Sequence, residues 1–333
     1  LVIRAIQWAA RKEPKVTLTA FGPGATSVER EALPKTPLKL SLQGAPGDLQ
    51  ATFTVRNLDN HVFLSATQPV KGGAAQAALP LLPAGKYFAD VIVRLGSATA
   101  NWASTAFEVT SALSIASLTL DRPAAKDGEV VTAQVKLSAP APANTKLVLS
   151  AVDTYGREIV RQVAPVPAGR DALQLPFSLA APVSEYARVT AYLAPAATGK
   201  QPIAEAAIAR ADADLYVPLQ RSRGNYAHAV WSAASNYNSF MRALQMRQLD
   251  ACGVDMHTNG PTKTPGQTWL QRHNVDNIPY ATRYAYDGKE LVRKPCLTDP
   301  KFLTGHLEGL TKTGAELAPY GPRAYTLGDE CFL

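Results

Sequence analysis

The chain of 333 residues is short of charge, of sulfur and of long apolar runs. Charged residues make up 18% of it and only three are cysteines. No stretch of about 18 apolar residues occurs, which excludes a membrane-spanning helix. Cys252, Cys296 and Cys331 all fall in the last third, and none has metal-ligand spacing such as Cys-x-x-Cys. They read as small buried hydrophobes; one bridge stays open, and its pairing cannot be read from spacing. Net charge is +7, yet the Lys and Arg residues are scattered, with no basic block or helix face, so no nucleic-acid partner is expected. No signal peptide is readable: Leu1 is not a natural start and Arg4 interrupts the first apolar run. No Gly-rich turn follows the first strand of the later α/β pattern, which argues against an open nucleotide-binding sheet. No cofactor is implied.

What is present is a hydrophobic content of 46% with 25 prolines, a globular composition long enough for two or three domains. Residues 1–13 place Val2, Ala5, Ile6 and Ala9 on one helical face, and Pro14 ends that helix. From residue 15 the period becomes two. Leu38, Leu40 and Leu42 alternate with Lys39 and Ser41, and Phe53 and Val55 with Thr52 and Thr54. Turn signals such as Gly22-Pro23-Gly24 and Asn57-Leu58-Asp59-Asn60 separate these runs. Gly85-Lys86-Tyr87 opens a further strand with the tyrosine placement of immunoglobulin-like sandwiches. The pattern then repeats through 113–120, 130–137, 146–153, 173–179 and 186–193. The expected division is 1–14 helix, 15–111 β-sandwich, 112–212 β-sandwich, and 213–333 partial (β/α) barrel. Spacer and sugar-binding accessory roles are both open for the two sandwiches; no aromatic cluster suited to a sugar platform stands out in either, and a spacer role is the expectation.

The last third alternates strand and helix. Expected strands at 226–232, 254–257, 278–286 and 325–327 flank helices that include one capped by Asp299 and opened by Pro300. Such alternation means βαβ units and a parallel sheet. The fold class expected is therefore two all-β immunoglobulin-like sandwiches followed by the first half of an α/β (TIM-type) barrel. Barrels keep their chemistry where the strands end at the C-terminal face, and the fourth strand here runs into Asp329 and Glu330. Glycoside cleavage needs a protonated acid and a second carboxylate, and a neighbouring negative charge raises the pKa of the acid. Strand neighbours face opposite ways, so the pair cooperates only if the strand breaks at Gly328. Other strand-end candidates are Trp231 as a stacking face, Asn236 in the first βα loop, and Arg283 with Tyr284 at the end of strand three. Asp255 and His257 share one strand face and suit a sugar hydroxyl. No metal is expected, since Asp255, His257 and Glu330 lack ligand spacing.

These residues carry a resemblance. Residues 214–333 look like the opening half of a clan A glycoside hydrolase, similar to the family 42 β-galactosidases. That family carries its acid/base glutamate at the end of strand four, usually as Asn-Glu, and its nucleophile at the end of strand seven. The resemblance implies a retaining glycosidase acting on a β-linked, galactoside-like saccharide. Glu330 would be the acid/base and the nucleophile would lie beyond the end of this chain. Asp329 departs from the pattern and raises substrate-assisted N-acetylhexosaminide cleavage, with Asp329 orienting the acetamido group. The string Arg4-Ala5-Ile6-Gln7-Trp8-Ala9-Ala10 resembles the closing helix of class I glutamine-amidotransferase-like domains, and a polypeptide longer at both ends is expected. The rival reading from another class is a non-catalytic cell-surface or assembly protein built on tandem sandwiches. A carbohydrate partner, a bacterial periplasmic or extracellular location, and no membrane span complete the expectations; homo-oligomerisation stays open.

Overall fold

The structure is a computed structural model, and it describes residues 16–44, 47–58, 60–196, 203–218, 227–231, 240–260, 263–279 and 299–326. The expected helix at 1–13 lies outside the described residues, as do Cys296 and Cys331.

The first unit contains β1 (Thr17–Gly22), β2 (Ser27–Glu29), β3 (Leu38–Gln43), β4 (Leu49–Asn57), β5 (Val62–Pro69), β6 (Ala74–Ala77), β7 (Gly85–Leu95) and β8 (Ala98–Thr110). A sheet in the order β1-β3-β6 packs on one in the order β2-β8-β7-β4-β5. The period of two fixes which side chains meet. Leu38, Leu40 and Leu42 of β3 point inward against Ala51, Phe53 and Val55 of β4, while Lys39 and Ser41 face water. Tyr87 opens β7 with its hydroxyl donated to Pro83 O at 2.7 Å, the tyrosine corner that pins a sandwich turn. One 3₁₀ segment, Arg30–Lys35, interrupts the strands and buries Leu33.

The second unit contains β9 (Ile115–Leu120), β10 (Val130–Leu137), β11 (Thr145–Asp153), β12 (Glu158–Val166), β13 (Ala172–Ser178), β14 (Tyr186–Pro195), a single helical turn α1 (Ile203–Ala206), and β15 (Ala209–Tyr216). Its sheets run β9-β10-β13 and β12-β11-β14-β15. That is the topology of the first unit again: β1-β3-β6 corresponds to β9-β10-β13, and β5-β4-β7-β8 to β12-β11-β14-β15. Even the parallel pairing of β2 with β8 has a counterpart in the parallel bridge from Ala124 to Tyr216. Val131, Ala133 and Val135 face Leu147, Leu149 and Ala151 in a core separate from the first. β15, reading Ala-Arg-Ala-Asp-Ala-Asp-Leu-Tyr, is built from poor strand formers and holds its place through eight register pairs with β14.

The two sandwiches meet end to end. Ala84, just before β7, donates its N–H to Ile208 O at 2.8 Å and bridges Ala209 in parallel. Ser138 Oγ accepts the N–H of Ser114 at 2.8 Å and so ties down the short connection between β8 and β9.

The third unit contains β16 (Ala229–Trp231), α2 (Phe240–Ala251), β17 (Met256–Gly260), α3 (Thr264–Arg272), β18 (Asp276–Pro279) and α4 (Pro300–Leu317). Asp299 caps α4 by accepting the Lys301 N–H at 2.9 Å, with Pro300 opening the helix. Half a TIM-type barrel is not what forms here. The described strands make one small parallel sheet in the sequential order β16-β17-β18. Of the expected fourth strand only Tyr325 and Thr326 are described, with Thr326 donating to Pro279 O at 3.0 Å. The rest of the chain is dominated by the two β-sandwiches. The physical reason lies in what strand–helix alternation encodes: it specifies parallel neighbours with crossover helices, and neither the number of strands nor the tilt that closes a barrel. No described helix is long and apolar enough to cross a membrane.

Candidate functional site

Of the residues expected to carry chemistry, Trp231, Asp255 and His257 are described, and all three lie on or beside the small parallel sheet. Asn236, Arg283, Tyr284, Asp329 and Glu330 lie outside the described residues. Trp231 ends β16 and stands 61% exposed. His257 is fully buried in the middle strand, in register with Val230 and Asn277. Asp255 is buried at the opposite end of the sheet from Trp231, where its Oδ2 accepts the His228 N–H at 3.1 Å and its carbonyl accepts the Asp276 N–H at 2.9 Å. These bonds give Asp255 a structural task, closing the start of the sheet. Cys252, expected to be buried, is an exposed free thiol just after α2.

A different site is assembled along β14. Ala187, Val189, Ala191 and Leu193 of that strand enter the core. Period two therefore turns Tyr186, Arg188, Thr190 and Tyr192 outward, and all four line a cleft of about 820 Å³. Six residue-to-residue steps along the strand, from Tyr186 to Tyr192, give this row a length of ~20 Å. Arg210 and Asp214 of β15 flank it. One end is closed by His61, from the β4–β5 turn of the first sandwich. At the other end stand Tyr155 of the β11–β12 turn, Arg247 of α2, and Trp269 and Arg272 of α3. All three units thus contribute walls. Tyr155, Tyr186, Tyr192 and Trp269 form the aromatic grouping that no local stretch of sequence shows, three of them from the second sandwich.

One asparagine sets the far end. α3 stops at Arg272, and Asn274 follows in the left-handed region at φ 59°, a conformation asparagine tolerates at helix ends. Its Oδ1 accepts the Glu185 N–H at 3.0 Å, and its Nδ2 donates to Asp250 Oδ1 at 3.1 Å and to the Tyr155 hydroxyl. Beside it, Arg272 donates Nε to the Tyr216 hydroxyl at 3.2 Å and pairs with Asp214 through Nη2. Gln271 Nε2 donates to Tyr320 O at 2.7 Å, and Tyr186, Tyr216 and Tyr320 pack as an aromatic cluster. The third unit is therefore fastened to the second by contacts in which Tyr155, Asp214, Asp250 and Arg272 of the cleft wall take part.

The electrostatics follow from those contacts. Asp153 is salt-bridged to Arg157 at 2.7 Å and accepts the N–H groups of Tyr155 and Arg157 at 2.9 Å. Asp214 accepts the Tyr186 hydroxyl at 2.8 Å as well as Arg272. Arg210 pairs with Asp212 at 2.6 Å, and Thr190 donates to the same carboxylate at 2.6 Å. Burial, then the adjacent Asp214 carboxylate, pushes the Tyr186 phenol above its ordinary range, so it stays a donor. His273 is lowered to about 4, first by burial and then by the positive charges of Arg247 and Arg272. Its imidazole lies edge-on to Trp269 with ring centroids 4.9 Å apart. Arg247 makes no ion pair among the described residues. Every carboxylate lining the cleft already serves as an acceptor for a cation, a hydroxyl or an amide. The arrangement offers aromatic side chains and guanidinium donors for binding.

No family model matches the chain, and no curated protein matches it. Among solved structures it is similar to a tetra-tandem repeat in the extending region of a large adhesion protein, at 17% identity and TM-score 0.26, covering 60% of this chain and 49% of that one. It is similar also to the BSP domain of a biofilm-associated protein, at 14% identity and TM-score 0.21, covering 61% of this chain and 29% of that one. The chain spans about half the length of the first and under a third of the second. The resemblance to glycoside hydrolases implied half a barrel, and it is overturned by the described strands of that region, which form a three-stranded parallel sheet instead. The amidotransferase-like resemblance at the N-terminus has no matching family model either.

The residues missed from sequence are Tyr155, Arg188, Tyr192, Arg210, Arg247, Trp269, Arg272 and Asn274. A signal existed for part of the set. Tyr186-x-Arg188-x-Thr190-x-Tyr192 puts bulky groups on the outward face of a strand, where a purely solvated face needs none.

Proposed function

We propose that this chain is a non-catalytic segment of a bacterial cell-surface or assembly protein, in which tandem sandwiches hold a fixed spacing between their ends. The observation that carries the reading is the way one topology occurs twice and is joined without slack. Only four residues separate β8 at Thr110 from β9 at Ile115, and the Ala84–Ile208 hydrogen bond ties the facing ends together. Short, tethered junctions between repeats transmit position from one unit to the next, which a spacer requires. An extracellular location accords with this role.

Two measurements test it. Small-angle scattering of the chain should give one extended distance distribution, and Ala84→Pro, which removes the donor to Ile208, should broaden it. A parent chain already as heterogeneous as the variant would refute the fixed spacing. Incubation with a panel of β-linked polysaccharides should leave them intact. Turnover abolished by one carboxylate substitution would overturn the non-catalytic reading.

A further inference from the structure

The cleft on the outer face of β14 is larger than a spacer needs, and its chemistry selects among ligands. Aromatic rings of Tyr192, Tyr155 and Trp269 share its lining with guanidinium groups of Arg188, Arg210 and Arg247. The lining contains four arginines, Arg188, Arg210, Arg247 and Arg272, against three aspartates, Asp153, Asp214 and Asp250. A single-stranded nucleic acid carries a phosphate at every step and favours a strongly basic groove. Here carboxylates interrupt the arginines, and each would repel a phosphate. Sugar rings differ: they present an apolar face to an aromatic ring and hydroxyls that donate to carboxylates and accept from guanidinium groups. The single surplus cation then suits a chain carrying occasional carboxylates. Arg247 is the group available to such a charge, being exposed and making no ion pair among the described residues. The trough is open along its ~20 Å row, as a segment of a longer chain requires.

We infer that this cleft binds an acidic oligosaccharide, a uronate-bearing glycan segment, laid along β14 between His61 and Trp269. Because the far wall belongs to the third unit, the bound glycan spans the junction held by Asn274 and tightens it. This ligand is independent of the spacing role: the cleft can fail to bind while the scattering result stands, and the reverse.

Isothermal titration of the whole chain with oligogalacturonate decides the matter, beside a neutral cello-oligosaccharide of equal length, an oligothymidylate and citrate. The acidic oligosaccharide should bind, more weakly as salt is added, while the neutral one binds at least ~10-fold less tightly, the worth of one hydrogen bond to a charged group. Arg247→Gln should cost the acidic ligand a similar ~10-fold with an unchanged circular dichroism spectrum, since that side chain is exposed and makes no ion pair among the described residues. Trp269→Leu supplies a second variant on the other side of the trough and should also weaken binding. Equal affinity for the neutral sugar, tighter binding of the oligothymidylate, displacement by citrate at equal concentration, or no heat with any ligand would each overturn the proposal. So would undiminished binding by Arg247→Gln.

Discussion

His273 shows how one side chain couples the cleft to pH. Its folded-state pKa of about 4 lies below the ordinary 6.5, so the folded protein disfavours the imidazolium and the unfolded chain binds the proton first. The contribution to stability is complete above pH 6.5 and is lost as pH falls from 6.5 towards about 4. Thermal unfolding followed across that window should show a falling midpoint, and His273→Gln should flatten the fall. Asn274 offers a second test of the same wall. Asn274→Gly keeps the left-handed backbone at no steric cost but removes the acceptor of the buried Glu185 N–H. An unsatisfied buried donor costs ~1–3 kcal/mol, so a denaturant midpoint shifted by that amount is expected, against no shift if the contact were incidental.

Elements depend on close approaches that no propensity records. Gly321 ends the turn after α4 at φ 61°, and a Cβ there would overlap the Pro218 side chain at the exit of the second sandwich. Gly321→Ala should therefore both strain the backbone and push the turn off that neighbour, at ~1–3 kcal/mol, read as a lower unfolding temperature. Legibility at this scale was uneven. Alternating Leu38, Leu40 and Leu42, or the Asp299-Pro300 start of α4, are visible because one local rule settles each. β15 was hidden because its alanines and aspartates favour no strand, and only the register with β14 makes it one. Of the site candidates Asp255 and His257, only His257 lies within the strand; Asp255 stands just before it and accepts the His228 N–H.

At the scale of the whole molecule, two cores share no buried residue: Phe53 belongs to one and Leu149 to the other. Phe53→Ala should cost ~3–5 kcal/mol and Leu149→Ala ~2–5 kcal/mol. Because the sites are distant, the double variant should show the sum. Calorimetry checks this directly; a double variant far from additive would mean that the two cores are energetically coupled across the Ala84–Ile208 junction.

The sequence alone determined the periods: two through the sandwiches and strand–helix alternation afterwards, because each depends only on which face of a local element meets water. It also determined the turn chemistry, such as Tyr87 at the start of its strand. The number of strands in the parallel sheet, the pairing that makes β15, and the gathering of Tyr155, Tyr192, Arg210, Arg247 and Trp269 around one trough were decided by tertiary structure. Those outcomes rest on contacts between residues far apart in the chain, and such contacts leave no period or spacing behind.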